Sequence, residues 1–326
     1  MKNSIKLLSL LFAALILLTT LASCDRFVLL DKGLEINVSV LNGSTGFGAA
    51  KLISDSKEGK TALNYNFTVE KLAENVTKGL INGSIDIAAL PTNAAAALYK
   101  KTEGGVKIAA VNTLGVLYLV TNGEKLSINN ISELEGKTIY CPDQNPAFIF
   151  KAICNAHGVN VTIDTYYAKP EELRDALVNG MVDMAVIPEP MVTIAKSKNN
   201  KLTTALDLTE EWERAYGENT LLQGCIVVRT EWAEAHPQEL EQFLAEYKAS
   251  IEYTNSNPKE ASQLVVAAGM VEAAPVAEKA IPKCNIVYMD GDEMAAALDV
   301  FFAKLYEQDP KAVGGALPDS EIYLVK

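Results

Sequence analysis

A twelve-residue segment written twice limits this chain more than any other feature. LINGSIDIAALP (Leu80 to Pro91) returns as LVNGMVDMAVIP (Leu177 to Pro188), with six of twelve positions identical and five of the other six exchanging one apolar residue for another. Each copy has a mechanical reading. An amphipathic helix (Val69 to Leu80, or Pro170 to Leu177) stops at Gly83 or Gly180, a residue able to take the left-handed conformation of a helix terminus. A short apolar strand follows, IDIAAL or VDMAVI, too continuous to be half exposed and so expected in the centre of a parallel sheet. It ends at a proline, where the ladder cannot continue. Ligands of open α/β sheets bind beyond the carboxyl ends of the strands, which makes Pro91-Thr92-Asn93 and Pro188-Glu189-Pro190 candidate site edges. Two such edges imply two lobes facing one cleft. The alternative is one large α/β domain with two plain turns.

A chain of 326 residues suits two lobes of ordinary size. Its formal net charge of −12 argues against nucleic acid or anionic lipid as a partner surface. At the start, Lys2 and Lys6 precede an almost wholly apolar run from Leu7 to Leu18, followed by Leu21-Ala22-Ser23-Cys24. A run this short fits a signal peptide (1–23) better than a spanning helix, which needs roughly 20 residues.

Lobe one opens at residue 34. The run LEINVSVL alternates as a strand, Asn42 to Gly46 is a turn of small hydrogen-bonding residues, and Phe47 to Ser54 reads as a helix. Ser44, Thr45 and Gly46 at a helix start offer hydroxyls and backbone amides to an oxyanion or carbonyl. A strand near Tyr65 to Val69 leads to the first repeat copy and an alanine-rich helix, Thr92 to Lys101. The apolar run that follows is broken at Asn112-Thr113-Leu114-Gly115, which marks a crossing between lobes.

Lobe two repeats the plan, with strand Thr138 to Cys141, loop Pro142 to Pro146, helix Ala147 to Ala156, strand Val161 to Tyr167 and the second repeat copy. LDLTEEWERAYGENT (Leu206 to Thr220) reads as polar and superficial. LLQGCIVVR then carries the chain back, with Gln223 near the second crossing. The remainder is mainly helical: Glu231 to Asn255, Pro258 to Ala268 and Gly291 to Gln308. Lobe one is thus expected over 34–114 and again, with the C-terminal helices, over 222–326, and lobe two over 115–221.

The usual signs of catalysis are weak. His157 sits beside a helix-ending glycine and His236 precedes a proline at a helix start; neither adjoins a nucleophile motif, and both read as structural or solvated. Cys141, Cys154, Cys225 and Cys284 show no Cys-x-x-Cys spacing, so buried free thiols are expected, with disulfides left open and no metal site implied. Asp86 and Asp183 begin the repeat strands away from the cleft and read as turn or capping residues. Glu189 and Asp143 are better placed.

The lipobox-like Leu21 to Cys24, the doubled Asn-Gly-x-x-Asp unit, Glu189-Pro190, His236-Pro237, Asn255 to Ala261 (NSNPKEA) and Leu317-Pro318-Asp319 together resemble a known group. The chain is similar to the solute-binding lipoproteins of ABC importers, in the sulfonate, nitrate and thiamine-pyrimidine receptor branch (NMT1/THI5-like, SsuA/TauA-like). This resemblance implies an α/β, two-lobed periplasmic-binding-protein type II fold with two crossover strands and no catalytic activity, cofactor or metal. It implies cleft positions at Ser44, Thr45, Gly46, Thr92, Asn93, Thr113, Leu114, Gln144, Asn145, Glu189 and Gln223. It also implies lipidation of Cys24, anchoring on the outer side of the bacterial cytoplasmic membrane, with Asp25 as a retention residue where the cell has two membranes, and a monomer that serves an ABC permease. Where the family has an aromatic before Glu-Pro, this chain has Ile187-Pro188. The competing functions are an enzyme on the same fold, making menaquinone or thiamine precursors, and a ligand sensor for a signalling partner. With Asp143 and Glu189 in the cleft loops and no lysine, arginine or histidine there, the expected solute is polar and organic and carries a nitrogen donor, with Tyr166 or Tyr167 as a face for a ring.

Overall fold

Both copies of the repeat become interior strands. The computed structural model describes residues 30–325, so the leader and Cys24 lie outside the described residues. The chain first runs through β1 (Glu35–Leu41), α1 (Ser44–Phe47), α2 (Ala50–Lys57), β2 (Asn64–Glu70), α3 (Ala73–Asn82), β3 (Ile87–Pro91), α4 (Thr92–Lys101) and β4 (Val106–Thr113). It crosses to β5 (Leu117–Asn122), β6 (Thr138–Tyr140), α5 (Asn145–Ala156), β7 (Thr162–Asp164), α6 (Pro170–Val178), β8 (Met184–Pro188), α7 (Met191–Lys198), β9 (Leu202–Asp207) and α8 (Leu208–Tyr216). It returns as β10 (Gly224–Arg229), then α9 (Thr230–Ala235), α10 (Pro237–Ser256), α11 (Pro258–Ala267), α12 (Ala274–Ala280), β11 (Ile286–Met289) and α13 (Gly291–Gln308).

Two sheets result, one of six strands in the order β11-β4-β10-β3-β1-β2 and one of five in the order β7-β6-β8-β5-β9. The chain passes from the first to the second between Thr113 and Leu117 and comes back between Asp207 and Gly224. The repeat strands are central, but parallel on one side only. β3 runs parallel to β1 and antiparallel to β10, while β8 runs parallel to β6 and antiparallel to β5. The strands beside each crossing enter their sheet from the cleft, and so run against the repeat strand. Gly83 and Gly180 end the preceding helices at φ 77° and 69°, as the sequence predicts. Ile87 to Leu90 and Ala185 to Ile187 have no exposed surface. Each such large apolar side chain contributes about 1.5–3 kcal/mol by leaving water.

One apolar core is continuous through both lobes. It links Val76 and Leu90 to Leu117, Phe150 and Trp212, and to Phe301 and Phe302 on α13. Separate cores back the far face of each sheet. α13 touches both halves: Trp212 lies 5.8 Å from Phe301 and Asn155 donates to Gln308 at 2.7 Å. On the other side, the Tyr323 hydroxyl donates to Asp299, and Tyr323 bridges to Ile108 of β4.

Several elements differ from the sequence reading. The tract from Leu206 to Thr220 is not superficial: Leu208 and Trp212 are fully buried. With Tyr216 they recur every four residues, so one face of α8 is apolar although its letters are mostly polar. Pro237 splits the long helix into α9 and α10, because proline disfavours helical geometry in the residue before it, here His236. Val69 and Glu70 extend β2, and α3 begins only at Ala73. The helix expected from Phe47 to Ser54 is two, α1 and α2, and the strand expected from Val161 to Tyr167 covers only Thr162–Asp164.

The remaining reactive groups have structural surroundings. Cys141, Cys154, Cys225 and Cys284 are all free and buried, and burial pushes the Cys154 and Cys225 thiols up to about 12. His157 Nε2 lies 2.9 Å from the Glu211 carbonyl, and the His236 ring packs 5.2 Å from Trp232. Among the described residues no helix is long and apolar enough to cross a membrane.

Candidate ligand-binding cleft

The turn after β1 is built for close approach. A Cβ on Gly46 would stand 2.0 Å from the Leu41 carbonyl oxygen, so only glycine lets the turn fold back on its own strand. Asn112 holds it from beneath, donating through Nδ2 to the Thr45 carbonyl at 3.0 Å and to the Tyr247 hydroxyl at 2.8 Å. The Thr113 hydroxyl donates to Asn112 Oδ1 at 3.1 Å. The Gln223 amide donates to the Thr113 carbonyl at 3.0 Å, and the Thr92 amide donates to the Gln223 carbonyl at 3.4 Å. Thr45, Thr92, Thr113 and Gln223 therefore meet along the carboxyl ends of β3 and β4 and the amino end of β10.

The crossings are tied to each other and to lobe one. Gln223 Oε1 accepts from the Val116 amide at 2.7 Å, and the Val116 carbonyl accepts from the Glu189 amide at 2.9 Å. Asn285 accepts from the Leu114 amide at 3.0 Å and donates through Nδ2 to the Gly115 carbonyl at 2.6 Å. The Tyr118 hydroxyl reaches the Lys283 carbonyl at 3.1 Å. The turn after β1 faces the Glu189-Pro190 edge of lobe two, since a Cβ on Gly43 would come within 3.9 Å of Pro190 Cδ.

Glu189 is only 2% exposed, and its carboxylate turns back on its own lobe. Oε2 accepts from the Thr193 amide at 3.0 Å and Oε1 from the Thr193 hydroxyl at 2.9 Å, so the group caps the start of α7. Burial pushes its pKa above the usual carboxylate range, while the Thr193 donors and the Lys283 charge act the other way. A carboxyl that binds its proton more tightly folded than unfolded supports folding at low pH, and that contribution is lost as pH rises through the folded pKa. Glu189→Gln keeps the shape and removes the titration. Its melting temperature relative to the parent is therefore expected to be higher at pH 7 than at pH 4. A difference independent of pH across scanning calorimetry runs would exclude Glu189 as a titrating destabiliser.

Across the cleft two helix starts lack side-chain caps, α4 at Thr92 and α5 at Asn145. Thr92 already gives its N–H to the Gln223 carbonyl and Pro146 has none to give; the other first-turn N–H groups have no partner within their helix. Gln144 precedes α5 at φ 63°, ψ −123°, a conformation costly to a residue with a side chain. Asn93 Oδ1 and Asn145 Oδ1 are buried without a hydrogen-bond partner among the described residues, and the Thr92 hydroxyl has the Cys225 thiol beside it. A cavity of about 560 Å³ brings Asn93 of lobe one together with Asp143, Gln144 and Phe148 of lobe two. Ser44 is buried, and Thr45 and Leu114 half-buried, nearer the turn. Tyr166 is 80% exposed and packs edge-on to Tyr167 at 5.0 Å. The supports Tyr247 and Asn285 escaped the sequence reading, as did Phe148 in the wall. Asn112 was read as part of the broken run at the crossing, and its support of the Thr45 turn is what the structure adds.

The comparisons agree with this architecture. A protein described as an ABC transporter from Parabacteroides distasonis superposes with a TM-score of 0.75 at 24% identity, over 89% of this chain and 99% of its own. The periplasmic aliphatic sulphonate binding protein SsuA of Escherichia coli gives 0.67 at 15% identity, over 86% and 90%. The alkanesulfonate-binding SsuA of Xanthomonas axonopodis pv. citri, bound to MOPS, gives 0.63 at 13%, over 89% and 96%. No curated protein sequence matches the chain. The NMT1/THI5-like family pattern matches residues 67–261, more than half of the sequence. Two lobes on interior repeat strands, joined by two crossings, carry the periplasmic-binding-protein type II fold, and the chain belongs to the NMT1/THI5-like family.

Proposed function

We propose that this chain is the extracytoplasmic solute-binding receptor of an ABC importer, closing on a small polar organic solute and presenting it to a permease. The observation that carries this reading is the cavity of about 560 Å³ in which Asn93 of lobe one meets Asp143, Gln144 and Phe148 of lobe two. In this reading Ser44, Thr45, Gly46, Thr92, Asn93, Thr113, Leu114, Gln144 and Asn145 face the solute. Gln223 and Glu189 shape the cleft, their side chains already serving Val116 and Thr193. The names of the two SsuA proteins support a small organic ligand in such a cleft.

A solute that binds only the folded protein at a hundred times its dissociation constant is expected to stabilise it by about 2.7 kcal/mol. A thermal-shift screen of small metabolites, with X-ray scattering on each hit, tests this. Hits should lower the radius of gyration as the lobes close; stabilisation with no change in dimension would count against closure on the ligand.

Anchoring is the second part of the proposal. Cys24→Ser is expected to move the folded protein from the membrane to the soluble fraction, because both acyl chains of a lipoprotein are lost. A variant with its leader removed that still sediments with membranes would sink the lipobox reading.

A further inference from the structure

Lobe one grips the first crossing with one short segment, Lys283 to Asn285, between α12 and β11. The Lys283 carbonyl accepts from the Tyr118 hydroxyl of lobe two at 3.1 Å, and Cys284 is fully buried. Asn285, held at φ 41°, takes the Leu114 amide on its carbonyl and gives its Nδ2 to the Gly115 carbonyl. Gly115 in turn is pressed against lobe two, since a Cβ there would collide with the Thr209 hydroxyl. Beside the segment, α12 packs on α7. Glu189 lies on the sheet face that this segment covers. Strands β5 and β8 pair Tyr118 with Ile187 and Leu117 with Pro188, and the bond from the Glu189 amide to the Val116 carbonyl continues that register by one pair. Directly opposed residues share a face, so Val116, Tyr118 and Glu189 project the same way and Glu189 is diagonal to Tyr118. The titratable groups facing Glu189 are Tyr118 of β5, Lys196 of α7, and Lys283 and Cys284 of lobe one. Asp207 and Glu210, where β9 meets α8, act on Tyr118.

We propose that Glu189 is a proton-operated latch between the lobes: as the neutral acid it lets the 283–285 segment stay seated over it, and on ionising it drives that segment away and admits water. A carboxylate sealed from water is costly, and the charge of Lys283, whose side chain is exposed, offsets only part of that cost. The donors that reach Glu189 both come from Thr193. The neutral acid can donate from Oε1 to Thr193 Oγ1 along the same 2.9 Å line, so the cap on α7 survives protonation. Parting the lobes returns water to the group. A carboxyl that binds its proton more tightly seated than parted favours the seated state at low pH, and that preference is lost as pH rises through the seated pKa. The latch belongs to the chain without solute and does not rest on the receptor reading.

Cys284 supplies the readout. The full chain, without solute, is treated briefly with 4,4′-dithiodipyridine between pH 4 and pH 8, and peptide mass spectrometry gives modification at Cys284 relative to Cys225, a buried thiol of β10 that reports unfolding of the core. Dividing by the same ratio in Glu189→Gln at each pH cancels the ordinary pH dependence of thiol reactivity. Each unit by which seating raises the Glu189 pKa should multiply the parent-to-variant ratio about tenfold across the titration. Tyr118→Phe, which removes the bond to Lys283, should raise Cys284 modification at every pH while keeping its pH dependence. Thr193→Val takes away a hydroxyl that favours the charged form and should move the rise to higher pH. A parent-to-variant ratio flat with pH, or a rise that Thr193→Val leaves in place, would overturn the latch. So would modification of Cys225 in step with Cys284, which would mean unfolding rather than parting. Should Glu189→Gln not fold, the displacement caused by Thr193→Val decides alone.

Discussion

Asp86→Ala is expected to destabilise the protein by about 3–5 kcal/mol, and Asp183→Ala by no more than about 1 kcal/mol, although the two acids hold the same place in the repeat. The difference lies in what surrounds them. Asp86 is 6% exposed. Its Oδ2 accepts from the Asn37 amide at 3.0 Å and from Asn37 Nδ2 at 3.3 Å, and its Oδ1 accepts from Arg229 Nη2 at 3.0 Å. Truncation strands the guanidinium, whose Nε is already buried without a partner, and leaves the Asn37 donors unmade. Asp183 has the same partnership in outline, with Lys125 at 2.8 Å, but both side chains are about half exposed and water replaces the lost partner. Urea unfolding of the two variants measures the contrast. Equal costs would mean that Arg229 recovers its hydration through Glu231, 3.8 Å away.

Trp212→Ala is expected to cost a further class of stability, about 3–5 kcal/mol, through a cavity rather than a charge. The indole is wholly buried, lies 4.7 Å from Tyr216 and 5.8 Å from Phe301, and donates from Nε1 to Thr220 at 3.0 Å. It joins α8 of lobe two to α13. Because one core runs through both lobes, the parent protein should unfold in a single transition. The variant should show a lower midpoint, and a second transition if this ring is a main link between the halves. A loss below about 1 kcal/mol would show that Phe301 and Tyr216 close the gap. Trp212→Phe, which keeps an aromatic ring, should recover most of the loss.

The sequence carried the plan of the fold because the plan is repetitive. Two apolar strands ending in proline, each after a glycine-stopped helix, placed two sheet edges opposite one another, and the broken run at Asn112 to Gly115 marked the first crossing. The site was readable as loops and not as directions. Thr92 and Asn93 follow a strand end, so their position was legible; whether Glu189 would point at a solute or at Thr193 depends on one rotamer that no spacing encodes. Tyr247 supports the cleft from 135 residues away in the chain, across a contact that leaves no local mark. Trp212 was lost for a different reason. Its neighbours are acidic, and average polarity hid a stripe in which Leu208, Trp212 and Tyr216 recur every fourth residue.

α13 changes what kind of joint the two crossings make. A pair of strands running side by side can bend, but can also twist, and twisting would shear Asn93 past Asn145 without bringing them together. The packed attachment of α13 to lobe two, through Phe301 and Gln308, lies apart from both strands and resists that shear. Trp212 fills the seam between α8 and α13, so any displacement that parted the two helices would wet the indole. If the chain is the receptor proposed above, this helix sets how far its lobes can part.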